Sequence, residues 1–293
     1  MLRDVRLEKD AGLAKSRFND RLMDSRTLTV ATPDGVNISA QEWGARGRQE
    51  IVFVHGMLQS HLCWCRQIES ALARRFRLIT YDFRGHGGSD KPLDPNLYND
   101  AVRFAEELKA VMDATDAMRP ILVGWSFGTR IIADYLLTFG AARLVALNLV
   151  APAISPNPDH FGLGIEKLAE AKDEDFATSI RGTKEFLRVC FSREPARDTF
   201  ETMLIVSASV PVPIRRWFAR PASDAEPLQR LLRSLAIPVL LSHGVEDRVI
   251  SPELSRWLAQ IIPNARLSLY PDSGHAPFFE DPERFNRELE ALA

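Results

Sequence analysis

Short apolar segments alternate with amphipathic ones along most of the sequence, and this alternation restricts the possible folds more than any other feature. The apolar segments are predicted strands, at residues 51–54, 77–81, 120–123, 144–150, 238–241 and 267–270. The segments between them have helical spacing, at residues 61–75, 99–115, 131–139, 254–262 and 279–292. Wholly apolar strands separated by helices are typical of parallel sheets that are covered on both faces. The sequence therefore predicts an α/β fold with a mostly parallel central sheet flanked by helices.

A β-hairpin is predicted ahead of this alternation. Two runs of strand-forming residues, 27–31 and 36–43, flank the dipeptide Asp34-Gly35. Asp-Gly is favoured in the tight turns that join antiparallel strands. Residues 1–25 are highly charged with sparse apolar positions, and they predict a helix or an arm without an assigned function.

Residues 155–235 interrupt the alternation. They have helical patterns and many aromatic residues, without a convincing strand. We therefore expect a core formed by residues 1–154 and 236–293, and an all-helical cap over residues 155–235. The aromatic and aliphatic side chains of the cap favour a mostly apolar substrate site, although some of them will form the cap's own core.

Composition excludes several classes of function. The 293 residues include 37 Lys and Arg against 39 Asp and Glu, a net charge of −2, which argues against nucleic acid or an anionic membrane as the main partner. No run approaches the roughly 18 apolar residues of a membrane span, and the first residues lack the apolar stretch of a secretory signal. We expect a cytoplasmic protein that acts on a small molecule, and the oligomeric state stays open.

The three cysteines predict free thiols rather than disulfides or a metal site. Their number is odd and small, which is typical of a reducing compartment. Cys63 and Cys65 are too close in sequence for the usual pair of zinc ligands, and no second pair follows. Together with Cys190, they are interpreted as packing residues.

The clearest chemical motif is Gly-Trp-Ser-Phe-Gly at residues 124–128, between a predicted strand and a predicted helix. This strand–turn–helix context is that of a nucleophile elbow, in which flanking glycines permit a very tight turn. Ser126 is then the candidate nucleophile. The backbone N–H of Phe127 would face the site where an oxyanion forms.

A serine nucleophile needs a base, and the base needs an acid to orient it. His275 follows the last predicted strand in a loop with glycine and is the candidate base. Asp247 follows strand 238–241 and gives the chain order Ser, Asp, His that is expected for such an elbow. Glu246 is a neighbouring competitor for the acid, and Asp272 is a weaker one.

The remaining histidines have structural interpretations. His55 and His243 end strands beside glycines and are expected to shape the backbone there. His86 is expected to have a loop role, and His61 and His160 to lie at the surface or in the cap. The loop after residues 51–54 should supply the second oxyanion donor, for which the Met57 backbone N–H is the candidate. Its side chain either walls the acyl pocket or packs in the core.

These motifs together resemble the α/β-hydrolases with a helical cap. The matching segments occur in the family's order, at residues 54–57, 81–92, 124–128, 244–247 and 274–277. Within that family, Gly-Trp-Ser at the elbow is similar to the branch of cofactor-free haloperoxidases and carboxylesterases. The chain departs from that branch at Thr129, where a small glycine is frequent, and at Met57, where an aromatic residue is common.

The resemblance implies a serine hydrolase that cleaves a carboxylic ester through an acyl-enzyme, without a metal or an organic cofactor. It also allows perhydrolysis, in which peroxide replaces water. Haloalkane dehalogenases and epoxide hydrolases use an aspartate nucleophile where this chain has Ser126, and no tyrosine lies in residues 155–235 to assist epoxide opening. Hydrolases of carbon–carbon bonds, lactonases and amidases share the three residues and stay open. Cofactor-free oxygen chemistry and a non-catalytic ligand-binding receptor are further alternatives.

Overall fold

A computed structural model describes residues 25–155, 157–218 and 225–293. The helix or arm predicted for residues 1–25 lies outside the described residues, except for Ser25. That residue begins the first strand of the sheet, so the predicted hairpin starts slightly earlier than expected.

The described residues form one eight-stranded sheet with the order β1-β2-β4-β3-β5-β6-β7-β8. Its strands are β1 Ser25–Ala31, β2 Asn37–Trp43, β3 Glu50–Val54, β4 Arg77–Asp82, β5 Ile121–Trp125, β6 Ala146–Val150, β7 Val239–Gly244 and β8 Ala265–Tyr270. The hairpin β1–β2 is antiparallel, β2 pairs antiparallel with β4, and every later pair is parallel. The predicted hairpin and the mostly parallel sheet are confirmed.

Burial explains why the central strands are mostly apolar. Every residue of β4, β5, β6 and β7 is buried, because helices cover both faces of the sheet. The edge strand β8 instead alternates between buried and partly exposed positions. The carboxyl ends of the parallel strands meet at one edge, where ligand sites of open α/β sheets form.

Helices of the first half of the chain are α1 Cys65–Ile68, α2 Leu72–Arg75, α3 Ala101–Ala114 and α4 Phe127–Phe139. The prediction of a single helix over residues 61–75 was wrong. This segment consists of the 3₁₀ turn His61–Trp64 followed by α1 and α2. The Ser70 hydroxyl, which accepts the Leu72 N–H, starts α2 separately. Val102, in the first turn of α3, is 44% exposed.

Five helices lie between β6 and β7 in the described part of residues 155–235, which we call the insertion segment. They are α5 Gly164–Glu170, α6 Phe176–Val189, α7 Arg197–Ala208, α8 Val212–Trp217 and α9 Ala225–Arg233. A buried Arg215 joins the first four of them. Its guanidinium donates to the carbonyls of Ala171, Ser207 and Val210 and to the Thr183 hydroxyl. This arrangement ties the ends of α5 and α7 to α6 and α8.

The last part of the chain contains α10 Pro252–Ile261, α11 Pro277–Glu280 and α12 Pro282–Glu290. The prediction of a continuous helix over residues 279–292 was wrong, because the segment is divided into two helices at Asp281 and Pro282. Proline has no N–H for the preceding helix, and the Asp281 carboxylate caps α12 by accepting the Arg284 N–H. None of the helices in the described ranges is long and apolar enough to cross a membrane.

The three cysteines are free thiols, as predicted. Cys63 and Cys190 are buried, and Cys65 is partly exposed. Burial raises the pKa of the Cys63 and Cys190 thiols well above the ordinary value, so both stay neutral. They act as small apolar groups in the core.

A buried ion pair supports the loop that follows β4. The Nε of Arg84 donates to Oε2 of Glu107 on α3 at 2.7 Å, and both side chains are completely buried. We expect Glu107→Ala to lower the free energy of unfolding by about 3 kcal/mol, the lower end of the cost of breaking a buried ion pair, because Asp34 remains as the second partner of the buried Arg84. Lys109→Ala, which removes an exposed ion pair with Asp113 on the same helix, should cost less than about 1 kcal/mol.

Urea unfolding of the two variants and the wild type measures the contrast. Equal costs for Glu107→Ala and Lys109→Ala would contradict the importance of burial at Arg84.

Candidate active site

Ser126 lies in a strained turn between β5 and α4. Its φ is 53° and its ψ is −116°, a backbone conformation that residues with a side chain rarely adopt. Hydrogen bonds hold the turn on both sides. The Ser126 N–H donates to the Val150 carbonyl at 2.9 Å, and the Ser126 carbonyl accepts the N–H and the hydroxyl of Thr129. The serine is partly exposed.

The glycines on either side of the elbow are required by contacts with other backbone segments. A Cβ at Gly128 would lie 2.3 Å from the Val54 carbonyl oxygen. A Cβ at Gly124 would lie 2.9 Å from the carbonyl carbon of Gly128 and 2.7 Å from a methyl of Ile132. The first turn of α4 therefore rests directly on the end of β3, and the two glycines leave room for the tight turn.

Asp247 and His275 are hydrogen bonded. The Nδ1 of His275 lies 2.7 Å from Oδ2 of Asp247, whose side chain is completely buried. The second oxygen, Oδ1, accepts the backbone N–H groups of Val249 and Ile250 at 2.7 and 3.0 Å. An ionised carboxylate accepts hydrogens only, so Nδ1 of His275 carries a hydrogen, and in the neutral form of the ring Nε2 has the lone pair. Glu246 and Asp272, the competing acids, are exposed.

Two histidines keep Asp247 ionised despite its burial. Burial by itself raises the pKa of this carboxyl, but His275 and His243 outweigh it, and the pKa lies well below the ordinary value. The carboxylate is therefore charged at neutral pH and can stabilise a positive His275.

His243 has a role that the sequence did not predict. Its Nε2 lies 3.0 Å from Oδ2 of Asp247 and 3.1 Å from the Ile250 carbonyl, so this nitrogen carries a hydrogen. Its Nδ1 lies 2.7 Å from the hydroxyl of Ser255 on α10. The residue was expected to shape the backbone beside Gly244, whereas its ring binds the candidate acid. Its position at the end of β7, four residues before Asp247, is the signal that could have indicated this contact.

Trp125 connects the elbow to the loop that contains His275. Its Nε1 donates to the His275 carbonyl oxygen at 2.7 Å. The same ring lies against Gly56, where a Cβ would come within 2.9 Å of it. The elbow, the His275 loop and the loop after β3 are therefore adjacent. The Nε2 of His275 is buried without a hydrogen-bond partner among the described residues, so no hydrogen bond joins it to Ser126 in this structure.

The loop that contains Met57 is fixed by the histidine of the next loop. Leu58, which follows Met57, has a φ of 62° and donates its N–H to Nε2 of His86 at 3.1 Å. The Nδ1 of His86 lies 3.2 Å from the Arg84 carbonyl and therefore carries the hydrogen. Met57 itself is partly exposed and packs against the core. Its loop and the start of α4, which contains Phe127, meet where Gly128 contacts β3.

His55, in its neutral form, holds the other end of the loop that contains Met57. Its Nδ1 lies 2.8 Å from the Gly56 carbonyl, and its Nε2 accepts the Phe83 N–H at 3.3 Å. Burial lowers the pKa of His55 to about 4. Burial and then the neighbouring His55 lower the pKa of His86 well below its ordinary value. Both rings are neutral at pH 7, and each offers one donor and one acceptor to the backbone.

A cavity of about 460 Å³ opens between the insertion segment and the core. Its walls come from the residues after the Met57 loop, from α7 and from α11. Most of its lining is apolar, with Leu62, Cys63, Met203, Val206 and Phe279. Gln59 also lines it and donates to the Ser207 hydroxyl of α7 at 2.9 Å. Charged residues of the lining are Arg66, Glu69 and Asp198.

Comparison with protein families matches residues 50–282 to the alpha/beta hydrolase fold. The chain belongs to the α/β-hydrolase family. The hydrolase is similar to a solved structure from Burkholderia cenocepacia, described as a putative aryl esterase. That structure is 37% identical with a TM-score of 0.85, over 91% of this chain and 97% of that one.

Two curated relatives extend the comparison. The hydrolase is 30% identical to the non-heme chloroperoxidase CPO-A1 of Kitasatospora aureofaciens, over 88% of this chain and 96% of the relative. It is 26% identical to the bifunctional esterase/perhydrolase of Acinetobacter calcoaceticus, over 90% of this chain and 98% of the relative. The hydrolase is therefore an esterase-like enzyme of the haloperoxidase and esterase branch, as its motifs predicted.

The neutral state of His55 makes the stability of the hydrolase depend on pH. In the unfolded chain this histidine takes up a proton near its ordinary pKa of 6.5, whereas in the folded protein it does so only near pH 4. Protonation of the unfolded state thus lowers the stability of the wild type as the pH falls. A His55→Gln variant lacks this contribution. The difference in unfolding free energy between wild type and variant should shrink by roughly 3 kcal/mol between pH 7 and pH 4.

Urea unfolding of both proteins at several pH values measures this difference, in which the contributions of groups that do not interact with His55 cancel. A difference that stays constant with pH would contradict a buried, neutral His55.

Proposed function

We propose that the enzyme hydrolyses a carboxylic ester of a small, mostly apolar substrate through an acyl-enzyme on Ser126. The observation that carries the proposal is the 2.7 Å hydrogen bond between Asp247 and His275 beside the strained turn of Ser126. This arrangement leaves the lone pair on Nε2 of His275, the atom that would accept the serine proton.

In the proposed first half-reaction, the oxygen of Ser126 attacks the ester carbonyl and its proton passes to Nε2 of His275. The oxyanion of the tetrahedral intermediate accepts hydrogen bonds from the backbone N–H groups of Phe127 and Met57. His275 then returns the proton to the leaving alcohol, and the acyl group stays on Ser126. In the second half-reaction His275 deprotonates water, which attacks the acyl carbon, and the serine regains its proton as the carboxylic acid leaves. The charge of Asp247 stabilises the protonated His275 in both halves.

We further propose that the insertion segment, residues 155–235, is a cap over this site and that residues 1–154 and 236–293 form the core domain. The apolar cavity between them supports this assignment. Gln59 lies two residues after Met57, and Phe279 lies four residues after His275. The segments that follow Met57 and His275 therefore contribute to a space that suits the apolar part of a substrate, and Ser126 itself does not line it.

Perhydrolysis is a second candidate, which the names of the chloroperoxidase and the esterase/perhydrolase relatives favour. Hydrogen peroxide would then replace water in the second half-reaction, and a peracid would leave instead of an acid. The same three residues would act, so this activity would accompany ester cleavage rather than exclude it.

Hydrolysis of p-nitrophenyl esters from acetyl to decanoyl tests the main proposal. We expect the wild type to cleave them with an optimum chain length that reflects the apolar cavity. Ser126→Ala should lower kcat by about 10⁴- to 10⁶-fold, as when a serine nucleophile of this type is removed. Acetate with hydrogen peroxide, followed by detection of peracid, tests the second candidate with the same pair of proteins.

A folded wild type that cleaves none of these esters would contradict the ester proposal. A Ser126→Ala variant with undiminished activity would contradict the assignment of the nucleophile. Circular dichroism of both proteins shows whether they are folded.

The assignment of the acid can be tested against its two competitors. Asp247→Asn should lower kcat by about 10⁴-fold, because an amide cannot stabilise the positive imidazole and favours the wrong tautomer of His275. Glu246→Gln and Asp272→Asn make the same chemical change at exposed carboxylates nearby and should leave kcat close to that of the wild type. A large loss of kcat in either exposed variant, rather than in Asp247→Asn, would show that the acid has been misassigned.

A further inference from the structure

The loop that contains His275 rests directly on the insertion segment. The backbone N–H of His275 donates to the Cys190 carbonyl oxygen at 2.8 Å. A Cβ at Gly274 would lie 2.9 Å from the same oxygen and 2.8 Å from the Ser192 nitrogen. Cys190 and Ser192 belong to the turn that follows α6. The base is thus attached through its own backbone to a part of the chain outside the core sheet.

One carboxylate joins the two sides of this contact. Glu280, the last residue of α11, accepts the Gly274 N–H on Oε2 at 2.7 Å. Its Oε1 accepts the Ser192 N–H at 2.8 Å and the Arg193 N–H at 3.4 Å. The Ser192 hydroxyl lies 2.6 Å from the same Oε1 and 2.7 Å from the Asp272 carbonyl, and it donates to one of them.

The geometry requires a hydrogen-bond acceptor at each of the two oxygen positions of the Glu280 side chain. Each oxygen of Glu280 faces backbone N–H groups, and these belong to two separate segments. A carboxylate accepts at both oxygens, whereas an amide of the same size would present its NH₂ group to one of the N–H donors. Hydrogen bonds to an ionised carboxylate are also stronger than those between neutral groups.

We propose that Glu280 is a positioning residue for His275. Its carboxylate holds the turn after α6 against the loop that precedes His275, and this contact fixes the backbone of the base. This inference rests on the proposed function, in which His275 takes the proton of Ser126. Proton transfer depends steeply on the distance and angle between the two groups, so a small displacement of the loop lowers the rate without removing the substrate site.

The test compares Glu280→Gln with Glu283→Gln, an identical change at an exposed glutamate three residues further along the chain. Two rates are measured. The first is kcat for the best p-nitrophenyl ester. The second is the rate of inactivation by phenylmethanesulfonyl fluoride, in which the Ser126 oxygen displaces fluoride from sulfur as its proton passes to His275. The second rate needs an activated serine but no ester substrate.

For Glu280→Gln we expect both rates to fall about 10- to 100-fold, the loss typical of a displaced catalytic group. KM and the thermal midpoint should stay close to their wild-type values, because the substrate site and the core are intact. Glu283→Gln should behave as the wild type. If Glu280→Gln does not fold, Ser192→Ala, which removes one hydroxyl donor, should show the same pattern with a smaller fall.

Wild-type rates in a folded Glu280→Gln variant would overturn the proposal. So would a fall that matches the loss of folded protein, because that result indicates a purely structural role. A wild type that cleaves no ester but reacts with the sulfonyl fluoride would contradict ester hydrolysis alone, and the inactivation rate would still decide the role of Glu280. A wild type that does neither would overturn both proposals.

Discussion

The close approach of two backbone segments at Gly128 determines the arrangement of the whole site. The first turn of α4 lies so near the end of β3 that a methyl group at this position would overlap the Val54 carbonyl. This contact places the turn of Ser126 beside the loop of Met57, and it leaves the serine in a strained conformation. The strain persists because hydrogen bonds restrain the turn on both sides, one donated by Ser126 to the Val150 carbonyl and two donated by Thr129 to the Ser126 carbonyl.

The groups around this turn differ in charge. The buried Asp247 is ionised and has a histidine ring on each side, whereas the histidines that hold the Met57 loop are neutral. Neutral rings suit that loop, because each must donate to one backbone group and accept from another. A positive ring there would also oppose the protonated His275 that the proposed reaction requires. The neutral His55 and His86 thus suit the support of a loop, and His275, beside a negative charge, suits proton transfer.

The fold and the candidate residues could largely be predicted because they depend on local patterns. Apolar strands, the Asp-Gly turn and the glycines around Ser126 each have a local physical cause that the sequence displays. The breaks in the predicted helices were missed because they depend on small features, such as the hydroxyl of Ser70 and the ring of Pro282. The ring of His243 and the indole of Trp125 were missed for another reason. The partner of Trp125 is distant in the chain, and no periodicity indicates such a contact. The contact of His243 crosses a loop, and only its position four residues before Asp247 could have indicated it.

The hydrogen bond from His275 to the Cys190 carbonyl has a consequence for the exchange of parts between related enzymes. If residues 155–235 form the proposed cap, replacing them with the corresponding segment of a relative is an obvious way to alter which substrates are accepted. In this chain the replaced segment also supplies an acceptor for the backbone of His275, the proposed base. In the proposed mechanism, substrate preference and the rate of the chemical step therefore depend on the same segment. A transplanted segment has to reproduce the turn after α6 as well as the shape of the pocket.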